Sequence, residues 1–228
     1  MAKQKLIVFS GAGMSAESGL KTFRDSGGLW EKYDVNEIAT PDAWKRDPVL
    51  VLDFYNQRRE QMIKSEPNDA HYLVAELQKK YDLEVITQNI DDLHERAGAK
   101  NVLHLHGLIT KARSVHDTNK LYDVGLEGIK LGDLAPDGKQ LRPHVVWFGE
   151  EVPEYINALE RIQKADIFII IGTSLNVYPA AGLIHYCPAE AKKFLIDPKP
   201  NLQDEFENMV VIEEGASAGM RKVIELLL

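Results

Sequence analysis

One junction near the start of the chain constrains its fold more than any other feature. Leu6-Ile7-Val8-Phe9 runs without polar interruption into Ser10 and then Gly11-Ala12-Gly13-Met14-Ser15-Ala16. A continuous run of this length, with no alternation, suits a parallel strand buried on both faces. Residues 83–87, 167–171 and 194–196 repeat the pattern. Helical patterns lie between these runs. Asn68 is placed to cap a helix whose apolar face is Ala70, Leu73, Val74, Leu77 and Tyr81. Asp91 or Asp92 opens a short helix that Gly98 closes. Residues 154–164 space Ile156, Leu159 and Ile162 for burial, and the last helix carries Met220, Val223, Ile224 and Leu227. This rhythm predicts an α/β fold built on an open, mostly parallel, Rossmann-like sheet.

Two stretches depart from the rhythm. Residues 20–65 contain a long helix after Pro48 but no clear strand, and residues 108–142 are rich in Gly, Asp and Lys with weak periodicity. We read them as insertions that build a smaller second lobe. The expected division of this single catalytic domain is a large lobe over about 1–23, 66–107 and 143–228, and a small lobe over about 24–65 and 108–142. Composition narrows the partners. With 27 basic against 35 acidic residues the net charge is −8, which disfavours nucleic acid or an anionic membrane as the main ligand. Cys187 is the one cysteine, so neither an internal disulfide nor a cysteine-based zinc site can form. The apolar run at residues 6–9 is too short for a signal peptide and no stretch reaches membrane-spanning length. We therefore expect a cytoplasmic monomer.

The glycine loop fits G-x-G-x-x-A, in which glycines let the backbone approach a pyrophosphate at a helix N-terminus. A dehydrogenase would also need an acidic residue ending a second strand about 20 residues later. Gly27-Gly28-Leu29-Trp30-Glu31-Lys32-Tyr33-Asp34 is not such a strand, so hydride transfer is disfavoured. An acid does follow a later strand: Asp197, which is equally suited to a ribose hydroxyl or to a turn before Pro198. Ligands of such sheets sit at the carboxyl ends of the strands. Those ends read Gly11-Ala12-Gly13, Gln88-Asn89-Ile90-Asp91, Gly172-Thr173-Ser174 and Asp197, a polar, small-residue set suited to a polar cofactor.

Taken in order, Gly11 to Gly19, Thr22-Phe23-Arg24, Gln88 to Asp91, His104-Leu105-His106-Gly107, Val145 to Glu150 and Gly172-Thr173-Ser174 resemble the motifs of the sirtuins, NAD-dependent protein lysine deacylases. The resemblance implies NAD as cofactor, acyl-lysine proteins or peptides as substrates, and a cleft between two lobes. It also implies that the acyl oxygen attacks the nicotinamide ribose, and that a histidine base then activates a ribose hydroxyl. It places that base at His106. A neutral imidazole suits the task near neutral pH; His104, two residues away on the same strand face, is the rival. By the same resemblance Asn89 and Asp91 hold the nicotinamide ribose and carboxamide, and Gln88 contacts the ribose. Gly11, Ala12, Gly13, Met14, Glu17, Thr22, Phe23 and Arg24 form the loop over the cofactor. Gly172, Thr173 and Ser174 lie near the phosphates, and Asp197, Ser217 and Ala218 on the adenosine side. Val146, Phe148 and Gly149, faced by Val177, would hold the substrate peptide as an added strand. Read without the resemblance, residues 145–148 are an ordinary strand.

The chain departs from the family in two places. Many sirtuins hold a structural zinc with two Cys-x-x-Cys pairs. Here the nearest positions are Ser114, Asp117, Leu134 and Asp137, with His116 nearby. A serine and a leucine cannot replace thiolates, so we expect no metal and a small lobe held by its own packing. Asp197 replaces a common Asn. One further motif bears on the substrate. Tyr55 and Arg58 share a helix face at i and i+3, and the surrounding Phe54-Tyr55-Asn56-Gln57-Arg58-Arg59 resembles sirtuins that remove succinyl, malonyl or glutaryl groups. Ala39 leaves room for a long acyl chain. The competing reading has Tyr55 packing between the lobes and Arg58 pairing with Glu60 or Glu66. The alternatives at the level of function are a general lysine deacetylase, a mono-ADP-ribosyltransferase and a non-catalytic NAD-binding module.

Overall fold

The computed structural model describes residues 3–20, 33–125, 127–173, 175, 178–200 and 207–227. The first apolar run becomes β1 (Lys5–Ser10), and a 3₁₀ turn follows directly at Ala12–Ser18. Three helices come next: α1 (Val35–Ile38), α2 (Pro41–Arg46) and α3 (Pro48–Lys64). The starts of α2 and α3 are fixed locally. Thr40 accepts from the Ala43 amide and Asp47 from the Leu50 amide, each ahead of a proline at the first helical position. Helix α4 (Asp69–Glu76) starts on the expected Asn68 cap, with His71 completing a capping box. Then come β2 (Asp82–Thr87), α5 (Leu93–Arg96) and β3 (Val102–His104). Gly98 follows α5 at a φ of +100°. Strands β4 (Gly107–Ser114), β5 (Leu121–Asp123) and β6 (Leu141–Val145) precede α6 (Tyr155–Ile162) and β7 (Ile167–Ile171). The chain ends through β8 (Lys192–Ile196), β9 (Met209–Ile212) and α7 (Ala216–Leu227).

The main sheet has the order β3-β2-β1-β7-β8-β9, with every adjacent pair parallel. The expected α/β fold with a parallel, Rossmann-like sheet is therefore present. The alternation of β1 explains why its run is apolar throughout. Leu6 and Val8 face a core shared with Val74 of α4 and with Met220 and Val223 of α7. Ile7 and Phe9 face the opposite core, with Ala158 and Ile162 of α6 and Leu183 and Ile184.

Residues 108–142, read from sequence as patternless, instead supply most of a second sheet, antiparallel, in the order β5-β4-β6. Their alternation was hidden because arginines occupy inward positions. Arg113 and Arg142 are each only 7% exposed, and both meet Glu150. Strand β9 was also missed. It is an edge strand whose Val210 and Val211 face outward. The two sequence insertions meet. Ile38, Val51, Phe54, Tyr55 and Met62 share one core with Ile109, Val145 and Trp147. Asn56 of α3 exchanges two hydrogen bonds with the backbone of Ile129, at 2.8 and 3.0 Å.

Candidate active site

Strand order reverses at β1, whose neighbours β2 and β7 lead away in opposite directions. Such a switch point opens a crevice at the carboxyl ends of the strands. Here the loops after β1 and β7 close on each other. The Gly11 amide donates to the Ile171 carbonyl at 3.0 Å, and the Gly13 amide to the Gly172 carbonyl at 2.8 Å. A Cβ on Gly13 would stand 2.7 Å from the Gly172 Cα, and one on Gly172, at a φ of +63°, would stand 2.2 Å from the Met14 amide. These glycines are thus required first for backbone-to-backbone packing, and the segment they lead into is a 3₁₀ turn rather than an α-helix N-terminus. Met14 is fully buried in the core below the loop.

The crevice opens into a cavity of about 650 Å³. Its lining brings together Ala12, Gly13, Glu17, Gln88, Asn89, Asp91, His106, Gly172, Thr173 and Asp197 from the cofactor set. From the substrate set it takes Tyr55, Arg58, Val146, Phe148 and Gly149. Gly11 stands just behind it, its carbonyl accepting from Asn89 Nδ2 at 3.1 Å. Ser217 and Ala218 begin α7 outside the lining; the Ser217 amide donates to Glu17 Oε1 at 3.0 Å, which ties the glycine loop to that helix. Thr22, Phe23, Arg24, Ser174 and Val177 lie outside the described residues. Sequence reasoning missed Trp147, Ile90, Lys199, Glu214 and Gly215, which also line the cavity. The first sits inside a quoted motif without a role. Lys199 lies two residues past Asp197 with no pattern of its own, and Glu214 and Gly215 follow β9, the strand the sequence did not reveal.

A polar frame fixes the floor. Asn89 Nδ2 also donates to Ser15 Oγ at 3.1 Å, and Ser15 Oγ donates to Asp91 Oδ2 at 3.0 Å. Asp91 is 4% exposed, and burial raises its pKa against the opposing hydrogen bonds from Leu93 and Ser15. Asp197 accepts from the Lys199 amide at 2.8 Å, so its turn role is realised while it still borders the cavity.

The two histidines separate clearly. His104 is engaged at both ring nitrogens, by the Asn89 carbonyl at 3.0 Å and by Glu95 at 2.7 Å. Burial lowers its pKa, but Glu95, the Asn89 carbonyl and Asp91 together outweigh burial and the net shift is upward. His106 Nδ1 lies 2.9 Å from the Gln88 carbonyl, which can only accept. The neutral tautomer therefore carries its hydrogen on Nδ1 and its lone pair on Nε2. Burial lowers the His106 pKa, and the Gln88 contact offsets this only in part.

Residues 145–149 depart from the ordinary strand that 145–148 suggest without the family resemblance. Strand β6 stops at Val145. The Val146 amide donates to His106 O at 2.9 Å and the Phe148 amide to Ala39 O at 3.0 Å. The Trp147 amide turns instead to Glu150 Oε2 at 2.8 Å, and Gly149 has a φ of +89°. Arg142 Nη1 and Nη2 grip both oxygens of Glu150 at 2.6 and 3.1 Å. Burial raises the Glu150 pKa, but Arg142, the Trp147 amide and Arg113 together outweigh it and hold the carboxyl below its usual range.

The model for the Sir2 family matches residues 11–179, which include every loop just described except those around Asp197 and the start of α7. This chain belongs to the Sir2 family. Among Sir2 relatives, an NAD-dependent protein deacylase of Bacteroides thetaiotaomicron is 53% identical over 230 residues, covering 99% of this chain and 98% of that protein. One from Helicobacter pylori is 49% identical over 225 residues, covering 99% and 96%. A solved Sir2 homologue in complex with NAD superposes with a TM-score of 0.86 at 36% identity, covering 97% of this chain and 88% of that one. A Sir2 homologue mutant bound to ADP-ribose also gives 0.86 at 36% identity, with 97% and 92% covered.

Proposed function

We propose that this Sir2 protein is an NAD-dependent protein lysine deacylase that prefers acyl chains ending in a carboxylate. The observation that carries the deacylase reading is His106. It lines the cavity, its Nδ1–H is fixed on the Gln88 carbonyl, and its Nε2 lone pair is available as a base. The cavity suits NAD because its size falls within the range of cofactor sites and its lining sets Gln88, Asn89, Asp91 and Asp197 among small residues at the strand ends. When bound, NAD supplies a cleavable nicotinamide–ribose bond and a ribose acceptor for the acyl group. Asn89 and Asp91 orient the ribose end, and His106 takes the proton of the hydroxyl that attacks the acyl carbon.

His106 must be neutral to act, and burial holds its pKa below the ordinary 6.5. Protonation therefore becomes significant only at lower pH. The acid limb of kcat/KM, which reports the base in the free enzyme, should have its midpoint below 6.5 in a pH series with acyl peptide and NAD. A midpoint at or above that value would show that burial does not govern the base.

The acyl preference rests on Tyr55 and Arg58, which line the same cavity beside the small Ala39. The acids that would draw Arg58 to the surface are engaged elsewhere. Glu60 pairs with Lys64 and Glu66 with Arg96. Burial lowers the Arg58 pKa, and Tyr55 and Asp91 counter it; a guanidinium remains charged at neutral pH. Burial pushes the Tyr55 phenol up to about 12, against the influence of Arg58 and Trp147, so it stays a hydroxyl donor. A fixed cation and a neutral donor recognise a distal carboxylate. Comparing NAD-dependent release of acetyl, succinyl and malonyl groups from otherwise identical lysine peptides tests both levels of the proposal.

We also propose that the protein needs no zinc. Ser114 Oγ donates to Asp137 Oδ2 at 2.6 Å and accepts from the His116 amide at 3.0 Å. Asp117 accepts from the Asn119 amide at 3.1 Å, while the Leu134 side chain is exposed. Of the four positions nearest to the family's cysteines, Ser114, Asp117 and Asp137 thus take part in hydrogen-bonded turns, and Leu134 offers no metal-ligating group. Elemental analysis of purified protein should find well under one zinc per chain, and a chelator should leave both activity and melting temperature unchanged. One tightly held zinc, or unfolding by the chelator, would contradict this.

A further inference from the structure

Trp147 stands out among the buried polar groups of the cavity. It is 2% exposed, yet its Nε1–H has no acceptor in hydrogen-bond geometry among the described residues. A buried indole N–H normally finds a partner. Tyr55, in the same core and lining the same cavity, packs against it and offers a hydroxyl oxygen. The two rings lie 6.4 Å apart between centroids at 38°, and the indole approaches closely enough to lower the phenol's pKa.

The indole is also held from behind. The Arg142 guanidinium stacks 3.2 Å from the centre of the Trp147 ring, and Trp44 packs at 5.6 Å. Arg142 is gripped by Glu150, which in turn accepts the Trp147 amide. Side chain and backbone of Trp147 are thus fixed by one ion pair, and the ring cannot swing to find another acceptor.

A hydroxyl oxygen that shifts to satisfy a neighbouring N–H accepts from it, so its own hydrogen turns the other way. We propose that Trp147 is a specificity-positioning residue. Held by the Arg142–Glu150 pair, its indole N–H turns the Tyr55 hydroxyl toward the Arg58 side of the cavity, so that Tyr55 donates to the carboxylate of an acidic acyl group. When that carboxylate accepts from Tyr55, the phenol oxygen becomes a better acceptor and the Trp147 contact tightens, since hydrogen bonds in series polarise one another. The inference rests on the acidic-acyl reading of Tyr55 and Arg58.

The test is the succinyl-to-acetyl ratio of kcat/KM in Trp147→Phe, Tyr55→Phe and the double variant. Loss of a single neutral hydrogen bond should lower the ratio about three- to tenfold in each single variant. The double variant should match Tyr55→Phe alone, because Trp147 acts through that hydroxyl. Replacing Trp147 by its benzothienyl analogue, which exchanges N–H for sulfur at nearly constant shape, should give the same drop and guards against a packing defect in Trp147→Phe. A ratio unchanged in the benzothienyl variant, or effects that simply multiply in the double variant, would overturn the proposal. If wild type favours succinyl and Arg58→Met loses that preference while the position-147 variants keep it, the Trp147 role alone fails. If wild type does not favour succinyl, the acidic-acyl reading fails and the Trp147 role with it.

Discussion

His106→Ala should reduce acyl-lysine turnover by about 10²–10⁴-fold, the usual cost of losing a general base, while NAD binds nearly as tightly as in wild type. In the proposed mechanism the imidazole enters only after the cofactor is seated, and the contacts that shape the floor belong to Asn89, Ser15 and Asp91. Those contacts do not pass through His106, whose own anchor is the Gln88 carbonyl. Asn89→Ala should behave differently. It removes the donor to Gly11 O and Ser15 Oγ, and should slow the nicotinamide-releasing step itself. Acyl-peptide turnover, nicotinamide release and NAD titration on the two variants separate these outcomes. Near-normal turnover in His106→Ala would remove this residue from the mechanism.

Arg58→Met should cut removal of succinyl groups by about 30-fold or more. Taking away one member of a buried charged pair costs about 2–5 kcal/mol, and each 1.36 kcal/mol is about tenfold in rate. Removal of acetyl groups should change little or improve, because acetyl carries no charge for the guanidinium to meet. Tyr55→Phe should cost less, since one neutral hydroxyl donor is lost. Steady-state kcat/KM on matched succinyl and acetyl peptides measures both. Equal succinyl-to-acetyl ratios in wild type and Arg58→Met would reduce this helix face to packing surface.

The parallel sheet could be read from sequence because its strands are buried on both faces, so Leu6 to Phe9 and Ile167 to Ile171 are apolar without interruption. The antiparallel sheet could not, because Lys111, Arg113 and Arg142 stand where an apolar alternation would show. The burial of the two arginines is made tolerable by Glu150, which is remote from Arg113 in sequence. Much of the candidate site was visible as motifs, and the family resemblance chose His106 over His104, but the residue pattern alone did not separate them. Alternation placed both on one face; only the partners, Glu95 for one and the Gln88 carbonyl for the other, separate them. Trp147 was passed over because an indole within an apolar run reads as core. Its significance appears only once Arg142 is seen on one face and Tyr55 on another. The glycine loop was located correctly, but for a partial reason. Gly13 and Gly172 are needed to let two loops touch before any ligand is considered.

The most direct measurement of the central claim is a side-by-side assay of wild-type protein on one lysine peptide carrying acetyl, succinyl or malonyl, with and without NAD. The account predicts release only with NAD, one nicotinamide per acyl group removed, and a higher kcat/KM for the succinyl and malonyl peptides than for the acetyl peptide. Release without NAD, or nicotinamide formed with no acyl group lost, would contradict the deacylase assignment. Acetyl removed as fast as succinyl or faster would contradict the role given to Tyr55 and Arg58.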